Sequence, residues 1–301
     1  MDFVTDTTID PTILRIQKSI DFIENNLGEE ISIGDIAQTA NLSKYHFQRL
    51  FRQYTGYSVI AYLRKRRLTR VAYELCVNQS RVIDVAYDLY FDYEQSLIRA
   101  FKNEFGVTPC AFRKHKVNIL CTPKINTAML VNNSQSRAAF MPRLSFQHRV
   151  TLVGRKEYIN IQDNYTNNIT IRNQNSFMNR VLGRHQGDMN INLCSVVESI
   201  EGNSEGWYYM PAITKDKATN FFDHPDEYEM DYHFSYYSPD TICKSVEHLS
   251  VKDYTSIYLD MYAFLDKAPY QQDKTFRYTV YDLNLLKNDM TDYSLHCPVE
   301  P

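Results

Sequence analysis

The chain has 301 residues, enough for two domains each with its own core, and its 44% hydrophobic and 23% charged content is that of a globular protein. Nine glycines leave little room for glycine-rich phosphate loops, and no run approaches the roughly 18 apolar residues of a membrane helix. The net charge of −3 is unevenly spread: Ile36 to Tyr73 holds eight basic residues and no acid, so a polyanion partner is suggested by this block and not by the total.

The opening "MDFVTDTTIDP" has neither the basic n-region nor the apolar h-region of a signal peptide. The six cysteines (76, 110, 121, 194, 243 and 297) form no C-x-x-C pair, so reduced thiols in a cytoplasmic protein are expected.

Asp10-Pro11 is a helix start, with Asp as N-cap and Pro at the first helical position. Ile13, Ile16, Ile20, Ile23 and Leu27 follow as one core stripe, and Gly28 is the expected stop. Ser32 caps a short helix with Asp35 three residues on, a capping-box arrangement. After the turn at Asn41–Ser43, "SKYHFQRLFRQYTG" places Phe47, Leu50, Phe51 and Tyr54 on one face and Lys44, Tyr45, Gln48, Arg49 and Arg52 on the other. Ser58 begins a longer helix, and further helices are expected over "RVIDVAYDLY", "YEQSLIRAFKNEFG" and "TPCAFRKH".

The pattern is an internal repeat. Phe47, Arg49, Phe51, Arg52, Gly56 and Ser58 recur fifty residues on as Leu97, Arg99, Phe101, Lys102, Gly106 and Thr108, while Ile36-Ala37 recurs after forty-nine as Val85-Ala86. Each copy reads short helix, tight turn, second helix with a polar outer face, which is the helix-turn-helix unit. From about residue 118 the texture changes, and 117–142 reads as a linker. Beyond it, "EYEMDYHF" (227–234), "YTSIYLDMYAF" (254–264) and "TFRYTVYDL" (275–283) alternate with period two, as half-buried strands do, and "IRNQNSFMNRVLGR" (171–184) supplies a helix. The expected fold is an all-α tandem helix-turn-helix domain (1–116) followed by an α+β, mostly antiparallel domain (143–301).

An α-helix fits the DNA major groove, where Arg forks onto guanine, Gln pairs with adenine, and aromatic groups touch the thymine methyl. Tyr45, Gln48 and Arg49 are that repertoire in the N-terminal half of a helix, and Lys44 and Arg52 suit phosphates. Lys102 stands where Arg52 does in the other copy. The run Arg64, Lys65, Arg66, Arg67 and Arg70 on the linking helix has two readings, a solvated charged face or phosphate contacts, with Arg64 and Arg67 as candidates.

"LSKYHFQRLFRQYTG" with "VIDVAYDLYFDYEQSLIRAFKNEFGVTP" resembles the AraC/XylS family of transcription regulators, in particular the MarA/SoxS/Rob subgroup, over about residues 11–116. The resemblance implies base contacts from Tyr45, Gln48 and Arg49 on the first recognition helix and from Gln95 and Arg99 on the second. It implies a DNA-binding activator with double-stranded DNA and RNA polymerase as partners, no cofactor and no membrane association. Where the family has Gly before the aromatic of the second turn, this chain has Tyr90-Phe91, and a positive φ is costly for Tyr, so a reshaped turn is expected. Tyr93-Glu94 and Ile98 are further departures in the second copy.

"FQHRVTLVGRKEYI", "LSVKDYTSIYLDMYAF" and "FRYTVYDL" resemble strands of the GyrI-like effector-binding domain found in Rob. That resemblance implies a small-molecule effector in an aromatic cleft, for which Trp207, Tyr209, Tyr228, Tyr232, Tyr258 and Tyr262 are candidates beside a plain core reading. The family acid on the closing strand is Thr279 here, which speaks against cation binding through that position and against a hydrolase-like enzyme. An enzyme and a ligand-free protein-interaction module remain the alternatives for this half.

Overall fold

The computed structural model describes residues 10–134, 142–184, 193–218, 222–231, 233–237, 241–243, 261, 265, 271–272, 276–282 and 291–300. The chain divides into two compact units, 1–139 with 267–269 and 140–266 with 270–301.

The first unit begins with α1 (Pro11–Asn25), whose Asp10 cap accepts from the Thr12 amide at 2.8 Å and whose Ile13, Ile16, Ile20 and Ile23 are buried. The helix ends at Asn26, before Gly28. Gly28 is needed for a close approach instead, since a Cβ there would lie 2.5 Å from the carbonyl oxygen of Asp88. Ser32 and Asp35 close a reciprocal capping box at the start of α2 (Ile33–Thr39). The helices α3 (Lys44–Thr55), α4 (Val59–Cys76), α5 (Val82–Asp88), α6 (Glu94–Phe105) and α7 (Pro109–His115) complete the two repeats.

The copies agree in detail. Gly56 and Gly106 both end their helices at φ +77°, and Ser58 and Thr108 both cap the next helix by accepting from the amide three residues on. In the turns, Leu42 donates to the Ala37 carbonyl and Phe91 to that of Ala86, while Asn41 and Tyr90 hold φ of +52° and +57°. The second turn is therefore not reshaped at Tyr90. It keeps the left-handed geometry, and the extra residue is taken up after Phe91.

The stretch 117–142 reads from its sequence as a linker, but its described part is folded onto the helical unit. A short strand β1 (Ile119–Cys121) packs on α4, and α8 (Thr127–Ser134) packs on α1 and α3. Ile119, Cys121, Ile125, Met129 and Leu130 are buried. The Ile125 amide donates to the Tyr62 hydroxyl at 3.2 Å, and the Thr122 amide to the Thr69 hydroxyl at 3.3 Å. The segment passes from strand to loop to helix within sixteen residues, so no single hydrophobic period marks it.

The second unit carries β2 (Arg143–Gln147), β3 (Val150–Gly154), β4 (Glu157–Asn160), α9 (Ile161–Asn167), α10 (Ile169–Arg184), β5 (Leu193–Ser199), β6 (Gly206–Thr214), β7 (Asp226–Met230), β8 (His233–Tyr237), β9 (Thr241–Cys243), β10 (Gln271–Gln272), β11 (Phe276–Asp282) and β12 (Thr291–Glu300). Its antiparallel sheet runs β2-β8-β12-β11-β5-β6-β3-β7, with β4 on β6 and with β9 and β10 on β12. One face buries Leu152, Val196, Met210, Met230 and Tyr278. The other buries Ile159, Val197 and Tyr209, and the Tyr209 hydroxyl donates to Gln174 of α10 at 3.0 Å.

Two strand expectations are corrected. "EYEMDYHF" is two strands, and the chain leaves β7 at Met230 to enter β8 at His233, several positions across the sheet. The alternation changes phase there: Tyr228 packs with the Met210 cluster, and His233 also reaches that face through Phe276 and Tyr278. Within 254–264 the one described residue, Met261, is helical and buried rather than extended.

Candidate nucleic-acid interface

The α3 back is fixed by aromatic packing. Phe47 and Phe51 are fully buried with ring centroids 5.5 Å apart, and Phe51 meets the edge of Tyr62 at 5.7 Å. The Tyr54 hydroxyl donates to Asp10 at 2.8 Å, and burial together with that carboxylate pushes the phenol pKa up. A helix held this firmly presents its other face in a fixed orientation. That face carries Lys44, Tyr45, Gln48, Arg49 and Arg52, all exposed, with Tyr45 at 81%. None of the five is engaged by an ion pair or side-chain hydrogen bond with another described residue. Ser43 holds the N-cap position without a side-chain cap bond.

The second copy is built alike. Leu97, Ala100 and Phe101 are buried on the inner side of α6, Phe101 packs against Phe112 at 5.4 Å, and Gln95, Arg99 and Lys102 are exposed. Its outer face is less basic, because Glu94 stands in the first turn and Ile98 interrupts the polar row.

The cationic run on α4 separates into different jobs. Lys65 pairs with Glu104, and Arg70 with Glu74 at 2.8 Å. Arg66 is buried, bidentate to Glu24 at 2.8 and 2.9 Å, and donates to the Thr122 carbonyl. Arg67 gives its Nε to the Leu27 carbonyl and an Nη to that of Glu29, each at 2.7 Å, and burial depresses its pKa. Arg67, a candidate phosphate contact, is committed by these bonds to the backbone carbonyls of the loop between α1 and α2. Among the described residues of that run, Arg64 is the exposed cation left without such a partner.

The described aromatic candidates of the second unit, Trp207, Tyr209 and Tyr228, do not converge. Trp207 and Tyr209 pack on one face of the sheet with Ile159 and Val197, whereas Tyr228 packs on the opposite face. Strand alternation alone does not say which faces meet. Tyr232, Tyr258 and Tyr262 lie outside the described residues. Thr279 is buried in β11 beside Ser195 and Leu295 of its neighbouring strands. Among the described residues no helix is long and apolar enough to cross a membrane.

Sequence reasoning missed two features of the helical unit, the buried Glu24–Arg66 pair and the Arg67–Tyr90 contact. The signal for the first is Glu24 itself, four residues after Ile20 and so beside the core stripe of α1.

Comparison with known proteins finds one similarity within this unit. A family described as a helix-turn-helix domain matches residues 36–115. The transposon Tn10 TetD protein of Escherichia coli is 40% identical over 96 residues, which is 32% of this chain and 70% of that protein. The HTH-type transcriptional activator AarP of Providencia stuartii is 38% identical over 98 residues, 33% of this chain and 73% of that protein. The right origin-binding protein of Escherichia coli (strain K12) is 37% identical over 93 residues, and the match spans 31% of this chain and 32% of that protein.

Proposed function

Because the chain belongs to the AraC/XylS family of helix-turn-helix transcription regulators, we propose that it binds double-stranded DNA sequence-specifically and regulates transcription as an activator, with RNA polymerase as its protein partner. Two recognition helices joined by one long helix suit successive major-groove faces, roughly 34 Å apart, on one side of a duplex. One chain then reads a non-palindromic site. Tyr45, Gln48 and Arg49 contact bases from α3, and Gln95 and Arg99 do so from α6. Lys44, Arg52, Arg64 and Lys102 hold phosphates and set the register.

The observation that carries this reading is the outer face of α3. Five DNA-suited side chains stand exposed and uncommitted on a helix whose back is locked by Phe47 and Phe51. A face serving only solubility has no need of the cations at Arg49 and Arg52 recurring fifty residues later on α6 as Arg99 and Lys102. Selection of bound sequences from random DNA by the full chain tests it. A single enriched asymmetric motif is the expected result; an unenriched pool would exclude sequence-specific reading.

For the second unit, the resemblance of "FQHRVTLVGRKEYI" and "FRYTVYDL" to GyrI-like strands supports a sensing or protein-contact role. A small-molecule effector remains the proposal for it, without the cation-binding acid that Thr279 replaces. Thermal stabilisation of the full chain by a compound, mapped to this unit, supports the effector; turnover of a substrate would favour the enzyme reading instead.

A further inference from the structure

Tyr90 occupies a backbone conformation that a bulky side chain adopts at a cost, with φ at +57°. The equivalent position of the first turn is Asn41, a residue type that tolerates this region, and the two turns make the same backbone hydrogen bonds. The turn therefore does not need a tyrosine. The ring must contribute something that Asn or Gly could not.

Its surroundings say what. The Arg67 guanidinium carbon lies 5.4 Å from the Tyr90 ring centroid, and the Glu30 carboxylate nearby pushes the Tyr90 phenol pKa up. Arg67 simultaneously donates to the carbonyls of Leu27 and Glu29, in the loop between α1 and α2. In the same place Gly28 lets that loop close on the Asp88 carbonyl at the end of α5. Three elements meet here: the loop entering the first helix-turn-helix, the linking helix α4, and the turn of the second.

We infer that Tyr90 is a positioning residue, the key of a clasp formed with Arg67 and the loop carbonyls that Arg67 holds, which sets the orientation of the second recognition helix relative to the first. The consequence for DNA rests on the regulator reading above. A two-segment reader gains affinity from its second unit only when both units reach their grooves together, so the clasp sets the tolerated spacing between segments. It also explains how a second copy with Glu94 and Ile98 on its outer face can still contribute: it arrives already placed.

The test uses the full chain carrying Tyr90→Asn, which suits the turn but lacks the ring, and Tyr90→Phe, which keeps the ring and loses the phenol. Without DNA, amide exchange in the 27–31 loop should quicken severalfold in Tyr90→Asn and less in Tyr90→Phe, with α3 unchanged. Unchanged loop protection in Tyr90→Asn overturns the clasp whether or not the chain proves to be a regulator. On DNA bearing both segments selected by the parent, Tyr90→Asn should lose about tenfold in affinity and accept spacing changes that the parent rejects. On DNA bearing the first segment alone it should match the parent. Equal loss on both DNAs, or full-site affinity within about twofold of the parent, overturns the positioning role. A parent that selects no sequence would sink the regulator reading and leave the exchange result to decide the clasp.

Discussion

Glu24 and Arg66 form a bidentate ion pair, 2.8 and 2.9 Å, with both side chains less than a tenth exposed. The Tyr62 hydroxyl donates to the same carboxylate at 2.9 Å, and Arg66 reaches the Thr122 carbonyl. The pair ties α1 to α4 and both to the segment leaving the helical unit. Removing one partner strands the other charge in the interior. Glu24→Gln is expected to cost about 3–5 kcal/mol in denaturant-induced unfolding of the helical unit. A cost below about 1 kcal/mol would mean that water reaches Arg66.

The segment after α7 is expected to be part of the DNA-binding unit's stability. Ile119, Cys121, Ile125, Met129 and Leu130 are buried, and α8 lies on α3. A fragment ending at Lys116 should therefore melt well below one ending at Ser134, because truncation uncovers apolar surface on α1, α3 and α4. Equal melting temperatures would show that the segment is merely laid on the surface.

Much of the helical unit can be read directly from the residues, because its signals are local. Asp10-Pro11, Ser32 with Asp35, and the glycines at 56 and 106 act within one turn of chain. The spacing of Phe47, Phe51, Leu97 and Phe101 likewise decides which face of each recognition helix is inward. What escapes such reading depends on distant partners. The cations from Arg64 to Arg70 look alike in a row, yet Glu104, Glu24 and the Leu27 carbonyl, 39, 42 and 40 residues away, decide the fates of Lys65, Arg66 and Arg67. In the second unit, Tyr228 to Phe234 alternates smoothly across a break between two strands far apart in the sheet, since period two carries no information about where a strand stops.

Those different fates give a contrast between three arginines. Arg49→Ala should cost roughly 1–3 kcal/mol on the selected site and relax one base preference. Arg64→Ala should weaken specific and random DNA alike and lower the salt slope by about one. Arg67→Ala should act mainly on stability, because it leaves the Leu27 and Glu29 carbonyls without their donor. Binding titrations at several salt concentrations, alongside thermal melts, separate the three. If Arg67→Ala changed the salt slope and left the melt unaltered, the assignment of Arg67 to the clasp would be wrong.

Acid should loosen the second unit through His296. This imidazole is buried on β12 and stacked on the Tyr278 ring, with centroids 4.7 Å apart and planes 14° from parallel. Burial pushes its pKa down to about 3, and the neighbouring His233 pushes in the same direction. The folded state thus holds His296 neutral while an unfolded chain protonates it near 6.5, so between those values the unfolded state binds the extra proton. Stability is complete above about pH 6.5 and falls as pH drops towards 3, at about 1.4 kcal/mol per pH unit for one proton. Carboxylates titrate lower in the same window, so the informative quantity is the difference between the parent and His296→Phe, which preserves the stacking but cannot take a proton. That difference should be constant above pH 7 and move in favour of the variant below pH 6, measured by denaturant unfolding of the full chain. Parallel pH profiles would mean that His296 gains access to solvent or an acceptor when it protonates, and that the sheet opens there without unfolding.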